Sequence, residues 1–233
     1  NVKYKAMTSD EWQSVEVSDM SYNLAELNSG TYYTVYVEGI CSDGSNLISN
    51  SVTFKTECAD IDLSSLEGNT WNNGFETSLS LTDMCFTIAQ TGYYYSDTYP
   101  IITTTSYAHT GANDGSYGDG KVLVCSGDNV VLALPKFTDD ISQLNLKLWY
   151  RHNGYSSSSY GTMEVGVMTD PADASTFTAV KTIDATLSGG SNYNYYLDNI
   201  NFSSTELTGS DYYIAFRYAN SSTYYSWYID DIE

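Results

Sequence analysis

The chain has 233 residues, with 9 Lys or Arg against 29 Asp or Glu and a formal charge of −20. That balance excludes a nucleic-acid or anionic-membrane surface, both of which need clustered Lys and Arg, and no run of about 18 apolar residues offers a bilayer span. Aromatic residues make up 15% of the chain, including 23 Tyr, which excludes an acidic disordered tail and points to one large or two small folded domains.

Helical periodicity is scarce and period-two alternation is widespread, so the fold class expected is all-β. Val2–Ala6 and residues 12–17 read as short strands. Residues 31–41 alternate Tyr33, Val35 and Val37 against Thr34, Tyr36 and Glu38; the Asp43-Gly44 turn and a strand over residues 51–56 follow. The run Leu24-Ala25-Glu26-Leu27-Asn28-Ser29-Gly30-Thr31-Tyr32-Tyr33-Thr34-Val35-Tyr36-Val37 resembles the fibronectin type III signature. The resemblance implies that Tyr33 is a tyrosine corner whose hydroxyl bonds backbone just upstream. The family's first two strands have no counterpart before Asn1, so this module is expected to be truncated, with one sheet lacking its partners. The chain starts at Asn1 rather than Met, which suits a processed or cut protein.

The domain boundary is expected near residues 58–63, giving a partial module over 1–58 and a second domain over 59–233, with no tandem repeat in either. Four cysteines without a CxxC spacing, beside only 2 His, argue against a structural zinc site and suit an oxidising compartment. Cys41 and Cys58 end successive antiparallel strands at opposite ends of a hairpin. That places them about 20 Å apart, where a bridge needs Cα atoms within about 7 Å. The pairing expected is Cys58 with Cys85, which flank the start of the second domain; Cys85 with Cys125 is the alternative, and Cys41 is read as a buried thiol.

In the second domain, Gly74-Phe75-Glu76 comes first. Turn chemistry marks Asp114-Gly115, Asp119-Gly120 and Gly189-Gly190, and strands are read over residues 144–151, 163–168 and 212–218. The ordered set Gly74-Phe75-Glu76, Leu134-Pro135-Lys136-Phe137, Leu148-Trp149-Tyr150-Arg151, Tyr213-Ile214-Ala215-Phe216-Arg217 and Trp227-Tyr228-Ile229-Asp230-Asp231-Ile232 resembles MAM-like jelly rolls of Bacteroidota surface proteins. These include the cleaved-adhesin modules of gingipain-type proteins and choice-of-anchor J domains. The resemblance implies a jelly-roll sandwich on a secreted or cell-surface protein, and structural Ca²⁺ held by Glu76 and Asp230. Calcium takes several oxygen ligands at about 2.4 Å, and a backbone carbonyl near Asp119-Gly120-Lys121 would add a third. The family's Asp-rich calcium loop is missing here.

Tyrosines in Ser-, Gly- and Asn-rich stretches supply flat apolar faces with a hydroxyl, suited to stacking on sugar rings or packing against protein. Tyr94, Tyr107, Tyr155 and Tyr160 are the ligand-binding candidates. For catalysis only His109 and His152 offer an imidazole; there is no Gly-x-Ser-x-Gly elbow, no phosphate loop and no marked cleft for paired carboxylates. Asp230 and Asp231 are adjacent, so on a strand they would point to opposite faces. Asn201-Phe202-Ser203 and Asn220-Ser221-Ser222 match the glycosylation sequon. The function expected is non-catalytic binding of a glycan or host glycoprotein within a larger surface protein. A structural spacer displaying the other domains of the parent chain is the rival. Tyrosines clustered on one face would favour binding, and scattered ones the spacer.

Overall fold

Alternating apolar and polar residues become antiparallel sheet throughout, and the molecule is nearly all β. The structure, a computed structural model, describes residues 1–41, 43–156, 160–220 and 224–233. Ser221 and Ser222 of the second sequon therefore lie outside the described residues. By internal contacts the chain divides into Asn1–Ala59 and Asp60–Glu233.

The first unit is one five-stranded sheet built around a single long strand. β1 (Val2–Ala6) pairs with β2 (Gln13–Val15) on one side and with β3 (Tyr32–Ile40) on the other. β4 (Asn46–Ile48) and β5 (Val52–Lys55) share the far edge of β3, pairing with its end and its start respectively. Tyr33 is buried, and its hydroxyl accepts the Asn28 N–H at 3.0 Å, satisfying a donor in the loop before β3. Val37, Leu47 and Val52 are exposed.

The second unit is a sandwich. Its strands are β6 (Thr87–Gln90), β7 (Gly92–Tyr94), β8 (Asp97–Tyr99), β9 (Ile101–His109), β10 (Tyr117–Ser126), β11 (Asn129–Ala133), β12 (Asn145–His152), β13 (Thr162–Met168), β14 (Thr178–Thr182), β15 (Tyr196–Asn201), β16 (Tyr213–Ala219) and β17 (Ser226–Asp230). One sheet has the order β15-β12-β17-β10-β9 and the other β14-β13-β16-β11-β6, while β7 and β8 form a separate hairpin. Leu146, Leu148 and Tyr150 of β12, Trp227 and Ile229 of β17, and Leu123 and Cys125 of β10 are buried in a core that also holds Met163, Val165, Leu132 and Phe216 of the other sheet. Period two then puts Trp149, Arg151, Tyr228 and Asp230 on the opposite face of the first sheet.

Two sequence expectations are corrected here. Asp119-Gly120 is not a turn: it lies inside β10, where two residues of β9 (Ser106 and Tyr107) oppose one of β10 (Asp119) in a bulge. Cys41 is half-buried rather than buried. Cys41 and Cys125 are free thiols, and Cys58 and Cys85 are disulfide-bonded.

Candidate functional site

The bulge re-aims the end of the β9–β10 hairpin. Tyr107 within it and His109 just beyond it meet side chains of β12 and β17. The His109 ring lies flat on Trp149, with centroids 4.2 Å apart and planes 20° from parallel. Its backbone N–H donates to Asp230 Oδ2 at 3.0 Å, and its Nδ1 donates to Asp231 Oδ2 at 2.6 Å. Asp230 and Asp231 thus act on the same residue and not on opposite faces of a strand. The reason is local: β17 ends at Asp230, and Asp231 has φ +41°, which breaks the alternation. Gly74 makes room for this, since a Cβ there would sit 2.8 Å from Asp231 Oδ1.

Asp230 is 1% exposed. Burial first, and the Asp231 carboxylate second, push its pKa up to about 8. Glu76 is exposed and lies in a loop, not a strand; its Oε1 accepts the Lys121 N–H at 2.7 Å, and the Lys121 ammonium donates to the Thr77 carbonyl. What the segment at Lys121 turns toward Glu76 is thus a donor. Glu76 does add to the negative field at Asp230. Among the described residues no group of three or more His, Cys, Asp and Glu is arranged to hold a metal. Glu76 and Asp230 offer two carboxyl groups, and Asp231 is taken up by His109, so the cluster supplies fewer oxygens than a calcium shell takes.

Beside this cluster, Asn72, Asn73, Asn113, Lys147, Trp149 and Asp231 line a groove of about 420 Å³. Lys147 and Glu233 form an exposed ion pair at its edge, 2.6 Å apart. Ile232 and Asn73 exchange backbone hydrogen bonds, as do Glu233 and Lys147, so the groove wall is main chain held at both ends. With one face covered by His109, Trp149 has its other face and its edge to offer the groove, beside amide and carboxylate donors and acceptors. A second cavity, of about 240 Å³, is bounded chiefly by Leu63, Trp71, Leu134, Phe137, Leu144 and Ile214.

The four candidate tyrosines do not form one surface. Tyr107 is 39% exposed, stacks on Tyr193 at 4.2 Å and sits 5.7 Å from Tyr117. Tyr193 is also 5.7 Å from Tyr117, so these three rings form a cluster. Tyr94 packs elsewhere, with Tyr95 and Tyr224. Tyr155 is 76% exposed. Tyr160 tilts against His152, and its carbonyl accepts the Trp227 indole N–H, both of them core contacts. His152 is structural as well: it is buried, its Nε2 donates to the Ala185 carbonyl at 2.7 Å, and desolvation holds its pKa below the usual histidine value. His109 Nε2 has no hydrogen-bond partner among the described residues, so no hydroxyl nucleophile is paired with that imidazole.

Sequence reasoning passed over Trp149, Arg151, Asn72, Asn73 and Asn113. One signal was present: Trp149 stands between Lys147 and Arg151 on the outward set of a strand, where a solvent-facing position has no use for a large aromatic ring.

No family model matches the chain, and no curated protein matches it in sequence. Similar solved structures include the K1 cleaved adhesin domain of Lys-gingipain from Porphyromonas gingivalis W83, at 15% identity, covering 70% of this chain and 95% of that one, with a TM-score of 0.40. The K3 domain of the same protein gives 13% identity over 56% and 88%, with a TM-score of 0.35. A carbohydrate-binding module of the β-sandwich superfamily gives 10% identity over 100% and 83%, with a TM-score of 0.36. At such scores the functional reading has to come from this chain's own side chains.

Proposed function

We propose that the second unit is a non-catalytic recognition module of a secreted or cell-surface protein, and that it binds glycan in the groove beside Trp149. The observation that carries this is the groove itself: Trp149 set among Asn72, Asn73, Asn113, Lys147 and Asp231. A sugar offers an apolar ring face for stacking and hydroxyls for amide and carboxylate partners. Of the candidate tyrosines, Tyr107 clusters with Tyr117 and Tyr193, while Tyr94, Tyr155 and Tyr160 lie apart as the spacer reading expects, so the binding reading rests on the groove.

The fibronectin type III reading of the first unit and the MAM-like reading of the second belong to the same proposal. The Tyr33–Asn28 contact supports the former, and two five-stranded antiparallel sheets support the latter. Calcium is proposed as a structural ion, with Glu76 and Asp230 as its carboxylates and the rest of its shell from backbone carbonyls and water. Bound there, its two charges would balance Glu76 and Asp230, displacing the proton that buried Asp230 otherwise keeps.

The test is glycan retention by native affinity electrophoresis for wild type and Trp149→Ala. Retention weakened at least about tenfold in the variant, at unchanged melting temperature, is the expected result. A wild type retained by no polysaccharide, or a variant retained equally, would overturn the reading.

A further inference from the structure

Three buried side-chain nitrogen or oxygen atoms have no hydrogen-bond partner among the described residues: Arg151 Nε, Arg151 Nη1 and His109 Nε2. All three belong to the cluster beside the groove. Arg151 is 2% exposed and one of only 9 basic residues in a chain of charge −20, so burying it with Nε and Nη1 unpartnered is a costly use of a cation. Its guanidinium carbon sits 4.4 Å from the Tyr228 ring, 4.8 Å from Tyr193 and 5.6 Å from Tyr107. Those rings hold the charge by their π faces, yet they give Nε–H and Nη1–H no lone pair to bond. Tyr107 and Tyr193, stacked on each other, cap the group.

Along β12, Arg151 follows Trp149 on the same face, about 7 Å further on. A sugar ring seated at Trp149 would therefore carry its substituents toward the capped guanidinium. Resting on the glycan reading above, we propose that Arg151 receives a ligand carboxylate and that the module selects uronate-containing glycans over neutral ones. The cap must swing aside, and the carboxylate then supplies the missing acceptors as charge-assisted hydrogen bonds. Arg is the residue suited to this, being permanently charged and weakly hydrated.

The probes are pectate, alginate and hyaluronan, against fully methyl-esterified pectin and neutral galactan, with native affinity electrophoresis of wild type, Arg151→Met, Arg151→Lys and Trp149→Ala. Wild type should be retained by at least one acidic polymer and not by its neutral counterpart. Arg151→Met should lose at least about tenfold in that retention, and Arg151→Lys part of it. Neutral and acidic polymers retained alike, or acid preference surviving in Arg151→Met, would sink the inference. Neutral retention lost only in Trp149→Ala would sink it while leaving the glycan reading standing. Acid retention dependent on Arg151 but indifferent to Trp149 would sustain it and move the site out of the groove. Should Arg151→Met fail to fold, the wild-type Arg151 Nε–H resonance decides: it should shift with oligogalacturonate and stay put with galacto-oligosaccharide, and an unmoved resonance in both overturns the proposal.

Discussion

Asp231 and His109 lie 2.6 Å apart across 122 residues of sequence, and that bond ties the end of β17 to the tip of the bulged hairpin. The neighbouring Asp230 binds the same histidine through its main chain. Two consecutive acids therefore serve one residue, and the left-handed backbone at Asp231 is what permits it.

Stability should depend on pH through Asp230. Its native pKa of about 8 lies above the unfolded value of about 3.9. Between these values the native state keeps a proton that the unfolded state has released, so stability falls as pH rises from about 4 to about 8 and levels off above. Urea midpoints measured across that range in EDTA should show the fall, and Asp230→Asn should flatten it. A wild-type profile as flat as the variant's would contradict the burial argument.

Calcium should raise the melting temperature. At about 100 times its dissociation constant a ligand bound only to the native state adds about 2.7 kcal/mol, a shift easily seen against EDTA, and Glu76→Ala should abolish it. Equal melting with calcium and with EDTA would remove the ion from the fold.

Gly115 should not tolerate a side chain. Its φ is +71°, a Cβ would lie 2.2 Å from the Tyr195 carbonyl oxygen, and its own carbonyl accepts the Tyr195 N–H at 2.9 Å. Gly115→Ala is expected to cost about 2–3 kcal/mol in urea unfolding. An unchanged midpoint would mean that the close approach is absent in solution.

The thiols should separate by reactivity. Cys125 is fully buried, and burial pushes its pKa up to about 12, whereas Cys41 is half-buried. Iodoacetamide should label Cys41 in the native protein, Cys125 only after unfolding, and Cys58 and Cys85 only after reduction as well. Peptide mass spectrometry reads all four, and native labelling of Cys125 would contradict its placement.

Strands announced themselves where one face is buried. Val2–Ala6 has the bounds read from the sequence, and the outlines of β3, β12, β13 and β16 were visible as alternation. Less visible was anything that depends on how strands leave a sheet. Tyr107 and His109 read as loop residues from their Ser-, Thr- and Gly-rich surroundings, and Asp119-Gly120 read as a turn from its Asp-Gly chemistry, whereas all four lie in the bulged β9–β10 pair. Arg151 looked like an ordinary solvent-facing cation. Its burial comes from the hairpin tip and Tyr193, which are distant in sequence. The acidic residues were named, but their arrangement around His109 rests on one positive φ that no composition reveals.

The groove draws its walls from residues 72–74, 111 and 113, 147 and 149, 197 and 231–233. Those segments span nearly the whole second unit, and the last of them follows β17. The groove therefore needs β17 in place before it exists, and contacts of such long range form slowly. Whatever occupies this groove can do so only after β17 has paired.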